Sequence, residues 1–116
     1  MIANIVIGLV ALLHVYFLVL EMFLWDKPAG LRTFGQTKEK AASTKVLAAN
    51  QGLYNGFLAA GLIWGITLGD NGADVKIFFL SCVIIAGLYG GATASRKILV
   101  VQAVPAAIGL ILVFLL

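Results

Sequence analysis

Charged residues and cysteine are both scarce in this chain of 116 residues. Charged side chains make up 11% of the sequence, whereas hydrophobic residues make up 62%. A water-soluble domain of this size needs far more charge to cover its surface, so the composition excludes an ordinary soluble globular protein. The single cysteine, Cys82, excludes an intrachain disulfide and is read as a small apolar residue of the interior.

Histidine also occurs only once, and acidic residues number five. One His and one intramembrane Glu on the first segment and one Cys on the third give no metal-ligand spacing, so we expect no metal site. The sequence contains no nucleophile elbow, phosphate-binding loop or zinc motif, and it does not identify a cofactor. The net charge of +3 does not indicate a nucleic-acid partner, because the placement of the basic residues has a different explanation.

Apolar residues are grouped in four stretches, each about long enough to cross a bilayer. About 20 residues at a rise of 1.5 Å match a hydrocarbon core of about 30 Å. Backbone polar groups in lipid must be paired within their own segment, so these stretches should be helices. We therefore predict an all-α fold, a bundle of four transmembrane helices forming one domain over residues 1–116. The expected helices cover about residues 2–25, 38–68, 75–94 and 98–116.

The second predicted helix is longer than a bilayer requires. Residues 37–46, TKEKAASTKV, contain strong helix formers and a candidate N-cap at Thr37. This helix should begin near Lys38 and extend into the cytoplasm. Near the fourth segment, Ser95 to Lys97 form barely a turn, which predicts an antiparallel hairpin. Pro105 lacks an N–H, so it should kink the fourth helix and free the carbonyl of Val101.

Seven of the eight basic residues lie in two of the three loops. The first loop holds Lys27, Arg32, Lys38, Lys40 and Lys45, and the third holds Arg96 and Lys97. The second loop has Asp70, Asp74 and Lys76. Short loops rich in Lys and Arg stay in the cytoplasm. We therefore predict a multi-pass protein of the inner membrane, surrounded by membrane lipids. Loops 26–44 and 95–97 should be cytoplasmic, with both termini and loop 69–74 outside.

Polar side chains within the spans are concentrated near the predicted cytoplasmic boundary, within about two helical turns of it. They come from all four segments: Glu21, then Asn50, Gln51, Tyr54 and Asn55, then Tyr89 and Thr93, then Gln102. The outer half of the bilayer has few comparable groups. We predict a polar pocket at the cytoplasmic side that binds a small amphipathic or lipid-like ligand, with the residues of the second helix forming one wall.

Glu21 is the only acid within a predicted span. A charged carboxylate at that depth costs at least about 2.5–3.5 kcal/mol, so Glu21 should face protein or water. It is the candidate acid/base, or the anchor for a cation or an amine. The alternative is a structural hydrogen-bond cluster that fixes helix register. His14 lies seven residues earlier on the same face, and it either relays a proton to Glu21 or bonds to a neighbouring carbonyl.

Other functions are also compatible with these residues. His14 and Glu21 could mark a path through a small transporter or channel subunit, or the bundle could serve structure and partner binding alone. Glycine pairs at helical spacing, Gly52 with Gly56 and Gly87 with Gly91, let helices approach closely. They exceed what one neighbour can use, so we expect a homo-oligomer, a dimer or a trimer.

The motifs HVYFLVLEMFLW, ANQGLYNGFLAAGLIWG, AGLYGGAT and VQAVPA together resemble a family of small bacterial four-helix membrane proteins known only as a domain of unknown function. That resemblance implies four spans in the inner membrane and no particular activity. AANQGLYNG is also similar to the second helix of the membrane-associated proteins in eicosanoid and glutathione metabolism. This second resemblance implies a trimer with sites between subunits and a glutathione-transferase-like activity, although the motif here has no Arg and has Asn55 where that family has an acid.

Overall fold

The structure, a computed structural model, describes residues 1–94 and 96–116, which are almost entirely helical. The α-helices are α1 (Ile2–Met22), α2 (Pro28–Phe34), α3 (Lys38–Thr67), α4 (Ala73–Thr93), α5 (Arg96–Ile98) and α6 (Val104–Leu115). A 3₁₀ turn at Gly69–Gly72 precedes α4, and a π-helical segment at Leu99–Ala103 joins α5 to α6. The described residues contain no β-strand. The predicted all-α class is therefore confirmed.

Three helical segments are long and apolar enough to cross a membrane, namely Ile2–Met22, Gly69–Thr93 and Arg96–Leu115. They indicate a membrane protein. The 30-residue helix α3 is long enough but is not among these segments, because it is not apolar enough. The physical reason is its content of amide side chains and of lysines in its first turns, which lower its mean hydropathy. A fourth span within α3 therefore remains a prediction.

The connection between α1 and α3 is itself largely helical. α1 ends at Met22, before the residue 25 expected from the apolar run. Pro28 occupies the first turn of α2, where its missing N–H has no cost, and Gly35 ends that helix with a left-handed φ of 61°. At the start of α3, the backbone N–H of Lys40 donates to Thr37 Oγ1 at 3.2 Å. This is the predicted N-cap, and it fixes the first turn of α3.

The chain divides into two compact units, and the first contains residues Met1–Leu12 and Leu58–Leu116. Its apolar core includes the fully buried Ile7, Leu62, Leu80, Val83 and Ala106.

Within this first unit, α4 runs antiparallel to the chain that follows it. A Cβ placed at Gly87 would meet Ala103, and one placed at Gly91 would meet Leu99. These close approaches confirm the predicted hairpin of the third and fourth segments, although Ser95 of the predicted turn lies outside the described residues. The α-helical hydrogen-bond pattern changes to the π-helical one immediately before Pro105, where the missing N–H predicts an irregularity.

The second unit covers residues Leu13–Phe57. It contains α2 together with the C-terminal part of α1 and the N-terminal part of α3. Its buried side chains include three polar ones, those of His14, Glu21 and Asn55. An apolar helix pair does not need such groups for packing, so this unit holds the candidate site.

Candidate functional site

A buried carboxylate and a buried amide form the centre of the candidate site. Glu21, in the last turn of α1, is 3% exposed, and Asn55 of α3 is 7% exposed. Nδ2 of Asn55 donates a hydrogen bond to Oε1 of Glu21. Buried polar groups need hydrogen-bond partners, and here each side chain satisfies part of the other's hydrogen-bonding capacity.

Two glycines of α3 allow this bond by bringing the backbones of α1 and α3 together. A Cβ at Gly52 would lie 2.6 Å from Met22 Cγ and 3.1 Å from Glu21 Cβ, and one at Gly56 would lie 2.7 Å from Leu18 Cδ1. Gly52 and Asn55 are three residues apart and so lie on one side of the helix. In this unit the predicted pair of Gly52 and Gly56 therefore allows close helix packing. This packing places the short Asn55 side chain within reach of Glu21.

The other predicted residues of α3 lie on its exposed surface. Asn50 and Gln51 are both exposed, and Tyr54 is 59% exposed with its ring near that of Phe57. The structure therefore brings Asn55 to Glu21 but leaves Asn50, Gln51 and Tyr54 accessible. Their assignment to a pocket wall remains a prediction.

His14 is fully buried, two helical turns before Glu21 on α1. Its ring makes an edge-on contact with Phe17, with ring centroids 5.5 Å apart. The burial agrees with an inward orientation for this residue. Both readings of His14, a proton relay or a structural histidine, remain predictions.

Three further predicted residues belong to the first unit. Tyr89 is 72% exposed, and the hydroxyl of Thr93 donates to the backbone carbonyl of Tyr89 at 2.7 Å. Gln102 is partly buried within the π-helical segment. That they line the same pocket as Glu21 remains a prediction.

Two contacts that the sequence did not predict join the end of α1 to the beginning of α3. Trp25 Nε1 donates to Thr44 Oγ1 at 3.1 Å, and Lys45 Nζ lies 3.0 Å from Asp26 Oδ2. The hydrogen bond from Lys45 is the main reason that the pKa of Asp26 lies below its ordinary value. Both pairs are separated by 19 residues in the sequence. This shared spacing does not predict the contacts, because the sequence does not give the path of the intervening loop.

Among residues 1–94 and 96–116, no three side chains of His, Cys, Asp or Glu come together as a metal site would require. Glu21 and Asn55 instead offer one carboxylate and one amide, which suit hydrogen bonding to a donor or the binding of a cation.

The fold and this buried pair define a small all-helical protein with three helices apolar enough to cross a membrane and a polar pair buried between α1 and α3. The chain belongs to the family described as "Protein of unknown function (DUF1304)", whose model matches residues 8–114. It is 34% identical over 96 residues to the uncharacterized protein YpaA of Lactococcus lactis subsp. lactis (strain IL1403). These 96 residues cover 81% of each of the two chains. No solved structure matches the chain significantly. The first family resemblance is thereby confirmed, while the resemblance to the eicosanoid and glutathione proteins remains a prediction.

Proposed function

We propose that this chain is an integral membrane protein that binds a small amphipathic molecule, with Glu21 as the anchor for its polar head. The buried hydrogen bond between Asn55 and Glu21 is the observation that carries the proposal. A carboxylate can accept about four hydrogen bonds, and Asn55 supplies one of them. The remaining capacity suits a donor that arrives with a ligand.

The chemistry of the anchor favours a ligand with a cationic amine. An ammonium forms a charge-assisted hydrogen bond to a carboxylate, which is stronger than a bond between neutral groups. Asn55 would hold the carboxylate in place, and the exposed Asn50, Gln51 and Tyr54 on the same helix would contact the polar part of the ligand. The apolar part would remain in contact with the surrounding helices and lipid.

A photoactivatable long-chain alkylamine tests this proposal. The protein in lipid nanodiscs should be labelled by a diazirine-bearing alkylamine, and less by the matching alkyl alcohol. Glu21→Gln should reduce labelling to the level of the alcohol, because it removes the charge but retains a carbonyl that accepts from Asn55. Asn71→Ala is the control for Asn55→Ala, since Asn71 is an exposed asparagine that does not belong to the proposed site. Equal labelling of wild type and Glu21→Gln would exclude the anchor role.

A structural function is the second candidate, and the same hydrogen bond supports it. In that case the pair of Glu21 and Asn55 only fixes the packing of α1 against α3. The two candidates differ in the labelling experiment. A structural pair predicts a loss of stability in Asn55→Ala without any preference for the amine over the alcohol.

The proposal places α3 in the inner membrane as a fourth span, with the loops of residues 26–44 and 95–97 in the cytoplasm. The support is the clustering of basic residues, since six of the eight lie in those loops and a seventh, Lys45, directly follows the first of them. Single cysteines at Ala42 and Asn71, introduced into Cys82→Ala, would test it with a membrane-impermeant maleimide on intact cells. We expect labelling at residue 71, and labelling at residue 42 only after permeabilisation. The reverse pattern would overturn the orientation.

A further inference from the structure

A polar cavity lies in the unit formed by Met1–Leu12 and Leu58–Leu116. It is a cavity of about 300 Å³ beside the beginning of α1, the turn before α4 and the end of α6. Its polar lining comes from Asn4, Asp70 and Lys76, and its apolar lining includes Leu112 and Val113. None of these residues belongs to the site around Glu21, so the cavity requires its own explanation.

The two charged side chains of this cavity are not paired with each other. The ion pair of the described residues joins Lys45 to Asp26, and neither Asp70 nor Lys76 forms one within residues 1–94 and 96–116. A cavity lined by an ammonium and a carboxylate that do not neutralise each other is complementary to a molecule carrying both charges.

The position of Lys76 depends on a glycine of the preceding helix. A Cβ at Gly65 would lie 2.8 Å from Lys76 Cγ and 3.2 Å from its backbone nitrogen. The absence of a side chain at Gly65 therefore makes room for the aliphatic stem of Lys76. A lysine whose stem lies along apolar surface directs its ammonium toward the polar boundary.

Asn4 contributes a third polar group. Its Oδ1 is buried and accepts no hydrogen bond from the part of the chain that the structure describes. A buried acceptor without a donor is unfavourable, so the Asn4 amide gains free energy by turning toward a donor that enters the cavity.

We propose that this cavity binds the phosphoethanolamine headgroup of a membrane phospholipid. The phosphate would contact Lys76, and the primary ammonium would contact Asp70 and the amide of Asn4. The exposed side chains of Ile2, Ile5 and Ile111 lie within two residues of the lining and would contact the acyl chains. The site is separate from the proposed amine anchor at Glu21 and does not depend on it.

Native mass spectrometry of the purified protein in detergent micelles tests the assignment. The protein is titrated with dioleoylphosphatidylethanolamine, with dioleoylphosphatidylglycerol and with free phosphoethanolamine. We expect a clear preference for the phosphatidylethanolamine over both other probes. Lys76→Gln should weaken binding of both lipids about fivefold, and Asp70→Asn should weaken binding of the phosphatidylethanolamine alone about fivefold, as loss of one partly exposed charge pair predicts.

Asp74→Asn is the matched control, because Asp74 is an exposed acid one turn further along that does not line the cavity. It should bind each probe as the wild type does, and thermal unfolding should show that all three variants are folded. Equal affinity for the two lipids, or equal binding by Asp70→Asn and Asp74→Asn, would overturn the proposal. Binding of free phosphoethanolamine as tight as that of the lipid would assign the cavity to a soluble ligand and overturn the lipid proposal.

Discussion

Asn55 of α3 donates a hydrogen bond to Glu21 of α1 across 34 positions of sequence, and both side chains are buried. The bond joins the only acidic residue of α1 to an amide that Gly52 brings close to it. In an apolar environment an unmade hydrogen bond is costly, so each partner requires the other. The stability of this unit and the chemistry of its candidate site therefore depend on the same two residues.

Loss of the Asn55 amide should destabilise the protein. Asn55→Ala leaves the buried Glu21 carboxylate without its donor, which costs about 1–3 kcal/mol. Glu21→Gln should cost less, since its carbonyl still accepts from Asn55. Unfolding by SDS in mixed micelles measures both changes. The control is Asn50→Ala at an exposed position, expected within about 0.5 kcal/mol of wild type. Equal stabilities of Asn55→Ala and Asn50→Ala would contradict a stabilising bond.

Gly52→Ala should weaken the packing of α1 against α3. Its new methyl group would lie 2.6 Å from Met22 Cγ, 3.1 Å from Glu21 Cβ and 3.2 Å from the Leu18 carbonyl oxygen, so these groups must move. Overpacking of this kind costs about 1–3 kcal/mol. Gly8→Ala is the control, because a Cβ there meets nothing within 4 Å. The same unfolding assay should rank Gly52→Ala well below Gly8→Ala, and the opposite ranking would refute close packing at Gly52.

The sequence was sufficient for the fold class and for some helix boundaries. Apolar length predicts helices in lipid, and Thr37 predicts the start of α3 through a side-chain cap that the structure contains. The end of α1 at Met22 was not predictable in the same way. Phe23, Leu24 and Trp25 continue the apolar run, so composition has no stop signal there. After Met22 the chain folds back so closely that a Cβ at Gly30 would meet the Leu24 carbonyl oxygen, a local approach that the apolar composition does not reveal.

The candidate site was predictable only to the level of a region. Depth along the helices groups Glu21 with every polar residue near the same boundary, but it does not distinguish Asn55 from Asn50 as the partner. That choice depends on which side of α3 faces α1, and Gly52 and Gly56 determine it through packing. A local sequence pattern does not specify how one helix is rotated about its own axis relative to its neighbour.

The ion pair of Asp26 and Lys45 should make stability depend on pH in acid. The hydrogen bond from Lys45 lowers the folded-state pKa of Asp26 below its ordinary 3.8. A lowered pKa means that the unfolded chain binds the proton more readily. The contribution of Asp26 is therefore fully present above pH 3.8 and is lost as pH falls through the lowered pKa.

Comparison of wild type with Asp26→Asn across this range measures the effect. The stability difference should be present near neutral pH, shrink in about 1 M salt because the pair is solvent-accessible, and disappear in strong acid. Asp74→Asn controls for the loss of a carboxylate, since Asp74 forms no ion pair among the described residues. A stability difference for Asp26→Asn that persists unchanged into strong acid would be inconsistent with the pair.

The indole of Trp25 should lose protection when Thr44 loses its hydroxyl. Trp25 Nε1 donates to Thr44 Oγ1 at 3.1 Å, and the Thr44 hydroxyl in turn donates to the Lys40 carbonyl at 2.9 Å. Thr44→Val removes the acceptor and should cost about 0.5–1.5 kcal/mol. In a Trp64→Phe background the indole N–H of Trp25 gives a single NMR signal, whose hydrogen exchange should become faster in Thr44→Val.

Ser43→Ala is the matched control for this measurement. The Ser43 hydroxyl also donates to the Lys40 carbonyl, at 2.8 Å, but it is not the acceptor for Trp25. Its removal should leave the exchange of the Trp25 indole unchanged, because the contact between the end of α1 and the first turns of α3 stays intact. If both variants exchange at the wild-type rate, the Trp25 indole is held by its packing against Phe34, with ring centroids 4.8 Å apart, rather than by Thr44.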